Sequence, residues 1–136
     1  MANTLKLEIV TPDAVTYSED VEMVTLPASE GEMGIYPQHV PLLTQIVPGE
    51  LVVRKDGRDH FLAVGEGFVE ITGERVAVMT DMAIRAENID EAQAEEARRR
   101  AEARLLEHVD EEESAMVSAA LAHSLAQLKV KRRQQH

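Results

Sequence analysis

Between residues 4 and 10 the chain alternates Leu5, Leu7 and Ile9 with Lys6 and Glu8, the period-two pattern of a strand with one face in water. Thr11-Pro12-Asp13 reads as a turn, and short β-branched runs follow at 14–17 and 21–26. Further strand-like runs occupy 42–47, 50–55, 58–64, 68–72 and 75–80. They are punctuated by Pro48-Gly49, Asp56-Gly57, Gly65-Glu66-Gly67 and Gly73-Glu74. Short strands with turn signals this regular predict an antiparallel sandwich or flattened barrel. Asp56-Gly57 predicts a two-residue hairpin turn with positive φ at both central positions, and Gly65-Glu66-Gly67 predicts a hairpin or a bulge.

From Asn88 the period changes, and neither Gly nor Pro occurs again. Asp90 with Gln93, and Asp110 with Glu113, resemble capping boxes that open two helices. Ala94, Ala97, Ala101, Leu105 and Val109 form the apolar stripe of the first. Met116, Val117, Ala120, Leu121, Leu125 and Leu128 form that of the second. Acidic residues 110–113 and basic residues 129–133 suit the two ends of the second helix, where the macrodipole favours each sign. The prediction is an antiparallel hairpin of helices about 20 residues and roughly 30 Å long. Its first helix is rich in Ala, which buries little area, so its attachment should be modest in energy.

The 136 residues suit one compact domain, 1–86, with a small helical module, 87–136. The absence of Cys removes disulfides, thiolate metal sites and thiol nucleophiles. No apolar run approaches 18 residues, so direct membrane insertion is not expected. A net charge of −11 and only four aromatic residues make nucleic acid a poor partner. The basic residues gather late, at Arg98, Arg99, Arg100 and Arg104 and at Lys129, Lys131, Arg132 and Arg133, a distribution that favours an acidic partner surface. Glu95, Glu96 and Glu102 flank the first cluster at helical spacing, as on a solvated face.

Candidate chemistry is sparse. The five His residues have no metal-binding spacing, no Ser sits in a nucleophile elbow, and the glycines lack the partners of a phosphate loop. No catalytic residue and no metal site is expected. A sandwich hydrolase built on His39 or His60 would need a convergence that the spacing does not show. A free small-molecule sensor whose hairpin closes over a ligand is a second alternative. The segment 26–48 stands apart: it holds four of the five prolines, with Gly31, Gly34 and His39, so local chemistry should fix its backbone more than strand pairing does. It is either a stiff crossover or an exposed recognition loop.

That segment, LPASEGEMGIYPQHVPLLTQIVPGEL, resembles the loop L-P-x-x-x-G-x-x-G-I-x-P-x-H-x-P-L-L of the ε subunit of bacterial F-type ATP synthase. GEGFVEITGERVAVMTDMAIRAENID is similar to the same family's G-G-F-x-E-V-x-x-x-x-V-T-V-L-x-D-x-A. The resemblance extends over essentially the whole chain. It implies a ten-stranded flattened β-sandwich followed by two antiparallel helices, in a non-catalytic central-stalk subunit beside the γ subunit. It places the subunit peripherally on the cytoplasmic face of the bacterial membrane. Glu32 and His39 match positions near the c-ring.

In the family the helices lie on the sandwich or extend along γ, where basic side chains meet an acidic loop of the β subunits and impede ATP hydrolysis. The resemblance gives that role to Arg98, Arg99, Arg100, Arg104, Lys129, Lys131, Arg132 and Arg133. Many members bind ATP through I/L-D-x-x-R-A. Here Ile89, Asp90 and Ala94 match, but Gln93 replaces the Arg, and His123 and Gln127 stand where nucleotide-binding members place arginines. Gln offers no charged fork to phosphate, so ATP binding should be weak or absent, and no other cofactor is expected.

Overall fold

The computed structural model describes residues 4–107 and 110–134. It contains ten strands: β1 Leu5–Val10, β2 Val15–Val21, β3 Met23–Ala28, β4 Gly31–Ile35, β5 Leu42–Ile46, β6 Gly49–Lys55, β7 Arg58–Val64, β8 Gly67–Ile71, β9 Arg75–Thr80 and β10 Ala83–Arg85. A 3₁₀ turn at Ala86–Asn88 leads to α1, Glu91–Leu105, and α2, Glu111–Gln134. The fold is therefore a β-sandwich followed by a helical hairpin, as the patterning and the resemblance both imply.

The strands run in the order β10-β7-β6-β3-β5-β8-β9-β1-β2, with β4 paired to β3. Two halves result, joined where Ala28 of β3 pairs with Ile46 of β5. Between them lies an aliphatic core that includes Leu7, Ile9, Leu26, Ile35, Leu51 and Ile71, with Tyr17 its one aromatic member. At the open seam, Lys55 and Arg85 both pair with Glu19, and the Arg85 guanidinium lies 4.9 Å from the centroid of the Tyr17 ring. Burial and the neighbouring Glu19 raise the Tyr17 phenol to about 12, so it stays neutral at physiological pH.

Several expectations need correction. β1 pairs with β9 in parallel, Lys6 opposite Arg75 through Val10 opposite Met79, so the sandwich is not wholly antiparallel. Periodicity reports which residues face inward but not the direction of the partner. The segment 26–48 is not held by local chemistry alone. It contains β4, which pairs with β3 from Val24↔Ile35 to Ala28↔Gly31, and β5. β4 and β10 escape the pattern because each is short, and β4 contains two glycines.

Gly65-Glu66-Gly67 is no hairpin, since β7 and β8 do not pair; it crosses between the halves. There Gly65 N–H donates to the Met82 carbonyl and Asp81 N–H to that of Glu66. A Cβ at Gly67 would come within 1.9 Å of the Met79 carbonyl oxygen, so only glycine passes. Asp56-Gly57 does form the expected turn, with φ of 54° and 75°.

The helices are unequal, 15 and 24 residues long rather than about 20 each. Asp90 accepts from Gln93 N–H at 3.1 Å and Asp110 from Glu113 N–H at 2.8 Å, so both predicted caps form. In α1, Ala94 and Ala101 are buried and Ala97 and Leu105 half-buried, whereas Val109 lies outside the described residues. The face predicted for α2 is only partly right. Leu128 is buried and Val117 and Leu121 half-buried, but Met116, Ala120 and Leu125 are exposed, while Ser124, Ala126 and Val130, outside the predicted face, are buried. A single stripe presumes one partner, but α2 packs on α1 and on the outer faces of β6 and β7 at once, which widens and rotates its buried arc.

Leu51→Ala should lower the unfolding free energy by about 3 kcal/mol in urea titrations, because the core cannot collapse fully around the lost methyls. Leu106→Ala, at a side chain 89% exposed, should change it by less than about 0.5 kcal/mol.

Candidate functional site

Two outer faces of the sandwich carry the features that need explanation. On β8, β9, β1 and β2, the register places Phe68 opposite Met79, Met79 beside Val10, and Val10 opposite Val15. All four point away from the core and are exposed, Phe68 by 54% and Val15 by 59%. An apolar row running across four strands is costly in water unless something covers it. The signal was present in the sequence as apolar residues in both phases of a strand, Ile9-Val10, Phe68-Val69 and Val78-Met79.

On the opposite side, α2 lies over the outer face of β6 and β7. Ala126 and Val130 pack with Ala63, Ala86 and Ile89, a small cluster of mostly short side chains. Polar contacts frame it. His123 Nε2 lies 3.1 Å from Asp81 Oδ1, Lys131 Nζ donates to the Ala86 carbonyl at 3.3 Å, and an Arg133 NH donates to Glu50 Oε1 at 2.7 Å. Arg133 also lies 5.3 Å from the centroid of the Phe61 ring. The hairpin is thus docked on the sandwich.

Docking decides where the basic clusters point. Arg98 pairs with Glu95 and Glu102 along its own helix, and Arg99 with Glu95. The Arg98 hydrogen bond and charge hold the Glu95 carboxyl below its ordinary value. Arg104 joins Glu107 and Glu113, while Arg132 reaches across to Glu91 and Glu95. Lys129 is exposed, and Arg100 lines a cavity at the base of the hairpin. The eight basic residues therefore do not form one patch in this state. Three of them, Arg132, Arg133 and Lys131, hold the hairpin together or down.

The cavity at the hairpin base has a volume of about 420 Å³, with Asp90, Gln93, Ala94, Arg100, Ser124 and Gln127 among its lining. Ile89 is buried next to it in the α2 cluster, and Asp90 is occupied as the α1 cap. Ile89, Asp90 and Ala94 are thus brought together, but Arg100 is the one guanidinium in the lining. Glu32 lies on β4 opposite Pro27, whereas His39 follows the far end of that strand, its Nδ1 2.7 Å from the Val40 carbonyl oxygen. The length of β4 separates the two. Among the described residues no group of three or more His, Asp or Glu is placed to hold a metal, and no helix is long and apolar enough to cross a membrane.

Comparison with known proteins agrees with this architecture. Residues 4–86 match the family model described as ATP synthase, Delta/Epsilon chain, beta-sandwich domain, and residues 87–132 match its long alpha-helix domain. The ATP synthase epsilon chain of Halorhodospira halophila is 43% identical over 129 residues, covering 93% of this chain and 92% of the relative. That of Laribacter hongkongensis is 40% identical with the same coverage. A chain of the Euglena gracilis mitochondrial ATP synthase has the same fold, with a TM-score of 0.76 at 24% identity over 100% of this chain and 84% of the other. One from the Tetrahymena thermophila central stalk and c-ring gives 0.62 at 12% identity over 97% and 96%. The chain belongs to the ATP synthase delta/epsilon family, as a non-catalytic subunit of that complex.

Proposed function

We propose that this chain is a central-stalk rotor subunit of a proton-translocating ATP synthase, which grips the γ subunit with residues 1–86 and restrains ATP hydrolysis with residues 87–136. The exposed row Phe68, Met79, Val10 and Val15 carries the first part of this reading. It is apolar, spans four strands, and lies on the face that the hairpin leaves free. A γ helix laid across it would remove that surface from water. Glu32 and His39 contact the polar loops of the c-ring in this reading. The subunit sits peripherally on the cytoplasmic face of the membrane, held there by its partners.

The hairpin is suited to move because its grip on the sandwich is a small apolar cluster, in which Phe61, Met82 and Ile84 stay partly exposed, with polar contacts at its margin. Switching a population from 1:99 to 99:1 needs only about 5.5 kcal/mol of differential binding. Released and extended, the helices would free Arg132, Lys131 and Arg133 from their docked partners. Together with Arg98, Arg99, Arg100, Arg104 and Lys129 they would then meet acidic loops of the β subunits. The cavity containing Asp90, Gln93 and Ala94 is a degenerate nucleotide site, because one guanidinium is too little positive charge for a triphosphate.

Three measurements test this. Phe68→Glu should leave the fold intact by circular dichroism yet weaken binding to purified γ by about thirtyfold or more, the loss of a central anchor; unchanged affinity rejects the row as the γ contact. Removal of residues 88–136 should preserve co-purification with γ and raise ATP hydrolysis of the reconstituted complex, and unaltered hydrolysis rejects the restraining role. Isothermal titration with ATP should give no binding tighter than about millimolar, roughly 4 kcal/mol; a micromolar constant overturns the degenerate-site reading.

A further inference from the structure

Leu51 and Val53 of β6 point into the core, so Glu50 and Val52 lie on the outer face. Glu50 pairs in register with Ala63, which belongs to the cluster under α2. A glutamate at such a position on an uncovered sheet would stand in water. Here it is only 6% exposed, because α2 lies over that face. One carboxylate oxygen accepts from Arg133 at 2.7 Å, whereas the other, Oε2, is buried with no hydrogen-bond partner among the described residues. The charged groups facing it are Arg133 and Lys129 from α2, which favour the carboxylate, and Glu32 from β4, which opposes it.

A buried carboxylate with one oxygen orphaned, paired to an arginine that stays largely exposed, is a poor exchange for full hydration, since desolvation can exceed the Coulombic gain. Burial raises the Glu50 carboxyl above its ordinary value despite the opposing pull of Arg133 and Lys129. We propose that Glu50 is a release residue for the hairpin: a carboxylate kept dry only while α2 covers it, whose negative charge works against docking, so that proton uptake there holds the hairpin down.

The direction is the reverse of what an ion-pair latch would give. A group that binds its proton more tightly when docked stabilises docking at low pH. That gain is complete below the carboxyl's ordinary value of 4.5 and is lost as the pH rises through the raised, docked value. Arg133 has the complementary part. Its removal would leave the Glu50 carboxylate buried with no hydrogen-bond partner among the described residues. The inference concerns the docked state itself and stands or falls whether or not the hairpin restrains hydrolysis.

The chain has no Cys, so a fluorophore pair can be placed at Glu74→Cys and Ser118→Cys in the full-length protein, and loss of energy transfer followed through a urea titration. At pH 7.5 Glu50→Gln should raise the docked-to-released ratio about tenfold. Glu50→Met, which leaves no polar atom to bury, should move it in the same direction. Arg133→Ala should lower it, and adding Glu50→Gln to Arg133→Ala should restore most of the loss. As the pH falls from 7.5 towards the carboxyl's ordinary value, the unsubstituted chain should dock more tightly, with a shallower slope in Glu50→Gln. His123→Gln, at the contact 3.1 Å from Asp81 on the same interface, serves as the control substitution. A slope abolished by His123→Gln but undiminished in Glu50→Gln overturns the proposal, as does weaker or unchanged docking in both Glu50 variants.

Discussion

The outer face of β6 and β7 carries Val52, Phe61 and Ala63 beside Glu50, too apolar to stand in water and too polar to be buried without cost. Covering it with α2 is the constraint on which the docked arrangement depends. The cover is made of Ala126 and Val130 over Ala63, Ala86 and Ile89, so the helix approaches closely while removing little area per residue. Contacts at the margin add to it, His123 to Asp81 and Lys131 to Ala86, while Arg133 offsets the burial of Glu50. Partly exposed ion pairs contribute little each. An attachment of this composition can hold without being permanent.

The two outer faces divide the work. One is occupied by the protein's own helices, and the other leaves exposed Phe68, Met79, Val10 and Val15, the row proposed to meet γ. Between them an aliphatic core with backbone pairing in every strand supplies a stiff body that neither event needs to deform. Gly65 ties the crossover to the hairpin as well. A Cβ there would collide with Asp81 Oδ1 at 1.9 Å and with His123 Nε2 at 2.8 Å, so the glycine keeps open the space in which sandwich and helix meet.

Much of this was legible in the sequence, for physical reasons. The strand faces, the Asp56-Gly57 turn and the Asp90 and Asp110 caps follow from period, positive φ and orphaned N–H groups, all local. Features that depend on a second element were not. The parallel β1–β9 pairing, the crossover at Gly65 to Gly67 and the buried arc of α2 are set by neighbours distant in the chain. Glu50 illustrates the same limit: after Pro48-Gly49 it reads as a turn-proximal surface acid, and only the arrival of Arg133 makes it a buried one. The family resemblance identified the basic clusters but not their docked partners, which Glu50, Glu91 and Glu95 supply.

The parallel alignment of residues 6–10 with 75–79 also bears on how the chain is made. β1 has β2 as an early neighbour, but its other edge stays unsatisfied until some seventy further residues have been synthesised. Such distant closure is slow, since the entropy of a long loop is lost before the contact forms. The two helices pack on each other as sequence neighbours, but α2 also reaches back to β6 and β7. A nascent chain therefore carries an open β edge until β9 arrives, an interval in which trapping by another strand, or shelter by a chaperone, is decided.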